Sequence, residues 1–82
     1  MAAIEYDGLA TQKYTVTRSD GRDHPGQKHA GCALFVLDLT HDPHARVAAL
    51  TYANRVEETR PRLARDLRLK VIAIEGRLDR QD

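Results

Sequence analysis

The residues best suited to chemistry are concentrated between Lys28 and Ala45, in the segment KHAGCALFVLDLTHDPHA. This segment contains three of the four histidines, the single cysteine and two aspartates, and it surrounds the most apolar run of the chain, Leu34–Leu39. Imidazole, thiolate and carboxylate groups can bind metals, activate nucleophiles or recognise polar ligands. The segment is therefore the first place to look for a functional site.

The order His29-x2-Cys32-x8-His41-x2-His44 contains two pairs of potential zinc ligands at a spacing similar to that of a structural zinc site. The run between the pairs has no Gly, Pro or Asn that would reverse the chain. As a strand this run would separate Cys32 from His41 by about 30 Å, and as a helix by roughly 13 Å. We therefore predict no metal site and no cofactor.

Two catalytic interpretations are also weak. His29 could activate Cys32 as a nucleophile, but a cysteine that opens an apolar run usually behaves as a small hydrophobic residue. The pair His41-Asp42 is similar to the His-Asp pair of metal-dependent phosphohydrolases. Those enzymes are larger helical bundles with further His and Asp ligands, which this chain lacks. We predict that the protein is not an enzyme.

A binding site for an anion fits the pattern better. The backbone N–H groups at the start of a helix attract negative charge, and a helix is predicted to start at Pro43. Cationic and polar residues lie near this start or near the ends of the elements before it, which predicts a site for an anionic, nucleotide-like ligand. The predicted ligand-binding residues are Arg18, Arg22, Lys28, His29, Thr40, His41 and His44. Alternatively, they are ordinary polar loop residues beside a satisfied helix cap.

Composition limits the remaining possibilities. The chain has 82 residues and a net charge of +1, which is enough for one small domain, residues 1–82, and gives no strong bias toward nucleic acid. The ends, residues 1–10 and 77–82, are predicted to be loosely ordered. A single cysteine excludes a disulfide within the chain. No secretory signal and no run of about 20 apolar residues is visible, which predicts a cytoplasmic protein without a membrane partner.

The predicted fold class is α+β, a short antiparallel two-stranded element followed by an antiparallel helix hairpin. Lys13–Arg18 alternates polar and apolar residues, which indicates a strand. Ser19-Asp20-Gly21 indicates a turn. Cys32–Leu39 is interpreted as a buried strand, although a short apolar run could also be a helical turn.

The helices have clearer signals. Asp42 is a suitable N-cap and Pro43 a suitable first helical residue, and Thr59 with Pro61 repeats the signal. The apolar stripe predicted for the first helix is Ala45, Ala48, Ala49, Tyr52 and Val56, and that for the second is Leu63, Leu67, Val71, Ile74 and Leu78. The short connection predicts that the two helices pack antiparallel.

Two surfaces could contact partners. Val47 and Leu50 lie off the first stripe, either against the small sheet or in a subunit interface, and we predict a homo-oligomer, most simply a dimer. Arg62, Arg65 and Arg68 lie opposite the second stripe. They form either a solvated face or, in the alternative function, a nucleic-acid-binding face.

The segments KHAGCALFVLDLTHDPHA, ALTYA and PRLARDLR together resemble a group of small phage- and prophage-encoded proteins, most of which have no assigned function. The resemblance extends from Thr15 to Leu69 and implies no particular site residues. It implies a protein of the host cytoplasm that antagonises host defence, by sequestering a nucleotide messenger or by binding a defence protein. The predicted function is therefore that of a non-enzymatic, phage-encoded inhibitor of host defence.

Overall fold

The computed structural model describes residues 14–80. The chain divides into two compact units, of which one ends at Val36 and the other begins at Leu37. Within the described residues, the second unit holds two helices, α1 (Pro43–Val56) and α2 (Pro61–Asp79). The first unit consists of turns and irregular chain over its described part.

Successive turns in the first unit are closed by backbone hydrogen bonds three residues apart. The predicted turn at Ser19-Asp20-Gly21 is present, and the Gly21 N–H donates to the Arg18 carbonyl at 3.5 Å. Gly21 has a φ of 74° and Gly31 a φ of 70°. Glycine occupies this left-handed region without a steric penalty, which allows the chain to change direction at both positions.

Helix α1 begins as the sequence predicts. The Asp42 side chain accepts a hydrogen bond from the His44 backbone N–H at 2.9 Å, and Pro43 occupies the first turn. Ala45, Ala49 and Ala53 are buried. They recur every four residues, so α1 presents a narrow face of small side chains to its neighbour.

Helix α2 follows a four-residue connection and begins at Pro61, as predicted. Thr59 is not its cap, because the N-cap residue is Arg60, which makes no capping hydrogen bond through its side chain, and the Thr59 hydroxyl donates instead to the Val56 carbonyl. Ala64, Val71 and Ile74 are buried. The helix continues to Asp79, so residues 77–79, predicted to be loose, are helical.

Two side-chain contacts show that the helices form an antiparallel hairpin, which confirms that prediction. Arg46 near the start of α1 lies 3.7 Å from Glu75 near the end of α2. Arg68 of α2 donates to Glu57, immediately after α1, at 2.9 Å. The order of these pairs is reversed along the two helices, as an antiparallel arrangement requires.

The predicted α+β fold class is wrong. Residues 14–80 contain no β-strand, so both predicted strands, Lys13–Arg18 and Cys32–Leu39, fail (Lys13 itself lies outside the described residues). Alternating or continuous apolar residues form a stable strand only when other strands or a helix cover them, and an isolated pair of strands is marginal in water. The described part of the protein is all-α.

The predicted apolar stripes are partly correct. In α1, Ala45 and Ala49 are buried, but Ala48 and Tyr52 are exposed, and Ala53 takes their place in the core. In α2, Val71 and Ile74 are buried as predicted, Leu63 and Leu67 are half-buried, and Leu78 lies at the exposed margin. The face of α1 that contacts α2 is therefore rotated away from the predicted one.

Candidate functional site

The two arginines of the predicted anion site in the first unit are grouped around Asp20. The Arg18 guanidinium donates to both carboxylate oxygens, at 2.9 Å from Nε to Oδ1 and 2.6 Å from Nη2 to Oδ2. The Arg22 backbone N–H donates to Oδ1 at 3.0 Å, and its side-chain Nε lies 4.0 Å from Oδ2. The hydrogen bond from Arg18 is the largest cause that holds the pKa of Asp20 well below its usual range. Asp20 thus occupies the position predicted for an anionic ligand.

The other predicted ligand-binding residues of this unit are Lys28 and His29. Lys28 is exposed, and His29 is half-buried with its backbone N–H bonded to the Arg22 carbonyl at 2.9 Å. His29 Nδ1 lies 3.8 Å from the sulfur of Cys32. The cysteine is exposed rather than buried, so it does not act as the core residue that the sequence indicated.

Asp38 organises the turn that precedes α1. Its Oδ1 accepts hydrogen bonds from the backbone N–H groups of Thr40 at 3.0 Å and His41 at 3.2 Å. Its Oδ2 lies 2.9 Å from His41 Nδ1. Thr40 and His41, two of the predicted ligand-binding residues, therefore lie together around a carboxylate. The hydrogen bond with the His41 ring is the largest cause that lowers the pKa of Asp38.

The predicted anion site at the start of α1 already has an internal occupant. The His44 backbone N–H, which an external anion would use, donates to Asp42. Five of the seven predicted ligand-binding residues, all except Lys28 and His29, are thus drawn into separate groups around Asp20, Asp38 and Asp42. Each group carries its own negative charge, which competes with an anionic ligand.

The pKa of Asp38 leads to a prediction about pH. A carboxyl whose pKa is lower in the folded chain stabilises the fold above its unfolded pKa, about 3.9 for Asp, and loses this contribution as the pH falls through the folded value. We expect the backbone N–H resonances of Thr40 and His41 to shift on acidification with a midpoint below about 3.9. The measurement is a series of ¹H–¹⁵N spectra recorded below pH 5. In an Asp38→Asn variant this acid transition should vanish, and a midpoint at or above the ordinary Asp value would contradict the assigned hydrogen bonds.

The described residues do not assemble a metal centre. Within residues 14–80, no three His, Cys, Asp or Glu side chains converge on a common point. The zinc-like spacing of His29, Cys32, His41 and His44 is therefore not matched by a cluster of ligands in this part of the chain.

The arginines that the sequence predicts as an alternative nucleic-acid-binding face are partly engaged in contacts with other side chains of the chain. Arg68 donates to Glu57 at 2.9 Å and to Asn54 at 2.7 Å, so it links α2 to the end of α1. Arg65 donates to Asp66 through two nitrogens, each at 3.2 Å. Two of the three guanidinium groups thus already have carboxylate partners, which weakens the case for a phosphate-binding face.

Three consecutive exposed apolar residues lie outside all of the predicted binding sets. Leu34, Phe35 and Val36 are consecutive and are 65%, 72% and 40% exposed. Of the predicted interface residues, Val47 is exposed and Leu50 half-buried. The sequence could not distinguish an exposed apolar run from a core strand, since both have the same composition.

The chain matches no protein-family model, no curated protein and no solved structure. Neither helix in the described part of the chain combines the length and the apolar character needed to span a bilayer.

Proposed function

We propose that the chain is a phage-encoded, non-enzymatic binding protein that inhibits a host defence by binding one of its proteins. The observation that carries the proposal is the exposed segment Leu34–Val36. Three adjacent apolar side chains in water are costly, and burial of a side chain such as Phe35 contributes about 1.5–3 kcal/mol. Aromatic residues that can be buried by a partner are typical of interface hot spots. The phage context is an expectation that rests on the sequence resemblance.

A protein partner is favoured over a nucleotide by the charges around the predicted anion site. Arg18 is bonded to Asp20, and His41 to Asp38. An anionic ligand would have to displace or tolerate these carboxylates, each of which repels it. A protein partner that covers Phe35 requires no such rearrangement.

The nucleic-acid alternative has one specific observation in its favour: Arg62 and Arg65 are exposed near the start of α2. However, the exposed apolar residues Leu69 and Ile72 follow them on the same side of the helix. A phosphate-binding face would be expected to carry further cations there. We therefore keep protein binding as the proposed function.

The test is phage plating on bacteria that carry individual plasmid-borne defence systems, with and without expression of the full chain. We expect the chain to restore plaque formation against at least one defence. The Phe35→Asp variant should lose this activity, whereas the matched control Val47→Asp, an exposed apolar residue of α1, should retain it. The tagged defence protein should co-purify with the unmodified chain and with Val47→Asp, but not with Phe35→Asp.

The contrary outcomes are distinct. If no defence is inhibited, the proposed function fails. If Phe35→Asp inhibits as well as the unmodified chain, Leu34–Val36 is not the binding surface.

A thermal-shift screen with nucleotides tests the alternative of a nucleotide ligand, because a ligand at 100 times its Kd stabilises the folded chain by about 2.7 kcal/mol. A shift that disappears in both Lys28→Ala and His41→Ala would support nucleotide sequestration instead.

A further inference from the structure

The side of α2 that faces away from α1 contains an apolar centre. Leu69 is 56% exposed and Ile72 is 64% exposed, whereas Val71 and Ile74 on the opposite side are buried against α1. The outer positions repeat with heptad spacing. Arg62, Leu69 and Gly76 are separated by seven residues, and so are Arg65, Ile72 and Asp79. These six positions form one seam along the outer face of α2, with Leu69 and Ile72 at its centre.

The charges along this seam oppose the dipole of their own helix. The first turn of α2 contains no acidic residue, and Arg60 provides no side-chain cap. Arg62 and Arg65 lie near the positive end of the helix, and Asp79 lies at the negative end. Each placement is unfavourable in an isolated helix. Both become favourable if an antiparallel helix places the opposite charge beside each end.

The core of the hairpin is small enough to need additional burial. Its buried apolar residues in the described chain are four alanines together with Val71 and Ile74. Only the last two have side chains large enough for their burial to contribute strongly to stability. Small domains with so little core usually gain stability from a metal, a disulfide or association, and the single cysteine excludes an internal disulfide.

We propose that a second copy of this chain packs against the outer face of α2, with its own α2 antiparallel and related by a two-fold axis between Leu69 and Ile72. Leu69 then meets Ile72 of the partner subunit. Arg62 meets Asp79 of the partner subunit, and Arg65 lies opposite Gly76 of the partner subunit. The two hairpins form a four-helix bundle.

This arrangement differs from the interface that the sequence predicted through Val47 and Leu50 on α1. It is also independent of the proposed partner segment Leu34–Val36, because it uses residues of α2 alone. A Phe35→Asp variant should therefore remain a dimer, and the two proposals can fail separately.

The first test is sedimentation equilibrium of the full chain over a range of concentrations. We expect a species of twice the 9.2 kDa chain mass. Ile72→Glu should dissociate it while circular dichroism shows that the helices persist, and Val47→Glu should not dissociate it. A chain that stays monomeric at all concentrations would overturn the proposal. A dimer that persists in the Ile72→Glu variant would also overturn the proposal. If Val47→Glu dissociated that dimer, the interface would lie on α1.

The decisive test is a charge exchange between Arg62 and Asp79. Within one copy these residues are 17 positions apart, about 26 Å along the helix, and cannot touch. Arg62→Glu and Asp79→Arg each improve the charge arrangement of an isolated helix, yet each should raise the dimer Kd by about tenfold. The double variant should restore the original Kd. Single variants with an unchanged Kd, or a double variant no better than either single one, would overturn the antiparallel arrangement.

Discussion

Replacement of Ala53 by leucine should lower the free energy of unfolding by about 1–3 kcal/mol, the usual cost of an oversized side chain in a packed core. Ala53 is fully buried on the face of α1 that contacts α2. A methyl group at this position lets the helices approach closely, since the distance between packed helices depends on the side chains at the contact. A larger side chain must either separate the helices or adopt a strained rotamer.

The matched control is Ala48→Leu. Ala48 lies on the same helix but is exposed, although the apolar periodicity of the sequence placed it in the core. Urea denaturation followed by circular dichroism should show a large loss for Ala53→Leu and little change for Ala48→Leu. Equal effects, or a larger effect at position 48, would mean that α1 packs through the face predicted from periodicity and not through the one described.

The helices could be predicted because their signals are local. Asp42 accepts a hydrogen bond from the first turn of α1, two residues further on. Pro43 and Pro61 lie in the first turns of their helices, where a missing N–H costs no hydrogen bond. Such contacts depend only on neighbouring residues, so they can be recognised without the tertiary structure. The short connection then fixes the antiparallel order.

The packing face of α1 could not be predicted with the same certainty. Alanine occurs at four positions of the helix, and its single methyl group is compatible with both buried and exposed sites. The predicted apolar stripe lies on the side of α1 that carries Tyr52, but the Tyr52 side chain is exposed. The choice between Ala48 and Ala53 depends on where α2 lies, which is a tertiary property.

The predicted strands failed for a related reason. Cys32–Leu39 has the composition of a buried strand, but a strand needs a partner for its backbone and a cover for its side chains. In the described chain this run is irregular, and Phe35 is among its most exposed residues. The same apolar residues that predicted a core now mark the surface on which the proposed function depends.

The residue types of the candidate site could be predicted, but their hydrogen bonds to aspartates of the same chain could not. The sequence indicates Thr40 and His41 as polar residues near a helix start, but the prediction leaves out Asp38, whose side chain accepts hydrogen bonds from both backbone N–H groups. The signal was present, because an Asp two residues before a turn N–H commonly accepts its hydrogen bond. Recognition of that turn would have placed a competing carboxylate beside the predicted anion site.

Arg46 was also missed, and it joins three parts of the second unit. Its Nη1 donates to the carbonyls of Leu39 at 3.0 Å and Thr40 at 3.2 Å, and its Nε lies 3.7 Å from Glu75 of α2. Its side chain is only 13% exposed. Nothing in the sequence distinguishes it from the other arginines, because its partners are six and seven residues before it and on the opposite helix.

Arg46→Met should therefore lower the free energy of unfolding by about 1–3 kcal/mol, since it keeps the length of the side chain but removes the donor to the Leu39 and Thr40 carbonyls, of which the first is partly buried. The control is Arg55→Met at an exposed position of the same helix, which should change stability by less than about 0.5 kcal/mol. Arg46→Lys should fall between the two, because an ammonium group retains the charge opposite Glu75 but lacks the planar guanidinium that reaches two carbonyls. Chemical denaturation of the three variants provides the measurement. If Arg46→Met and Arg55→Met were equally stable, Arg46 would contribute no more than an ordinary surface charge, and the turn before α1 would be held by Asp38 and Asp42 alone.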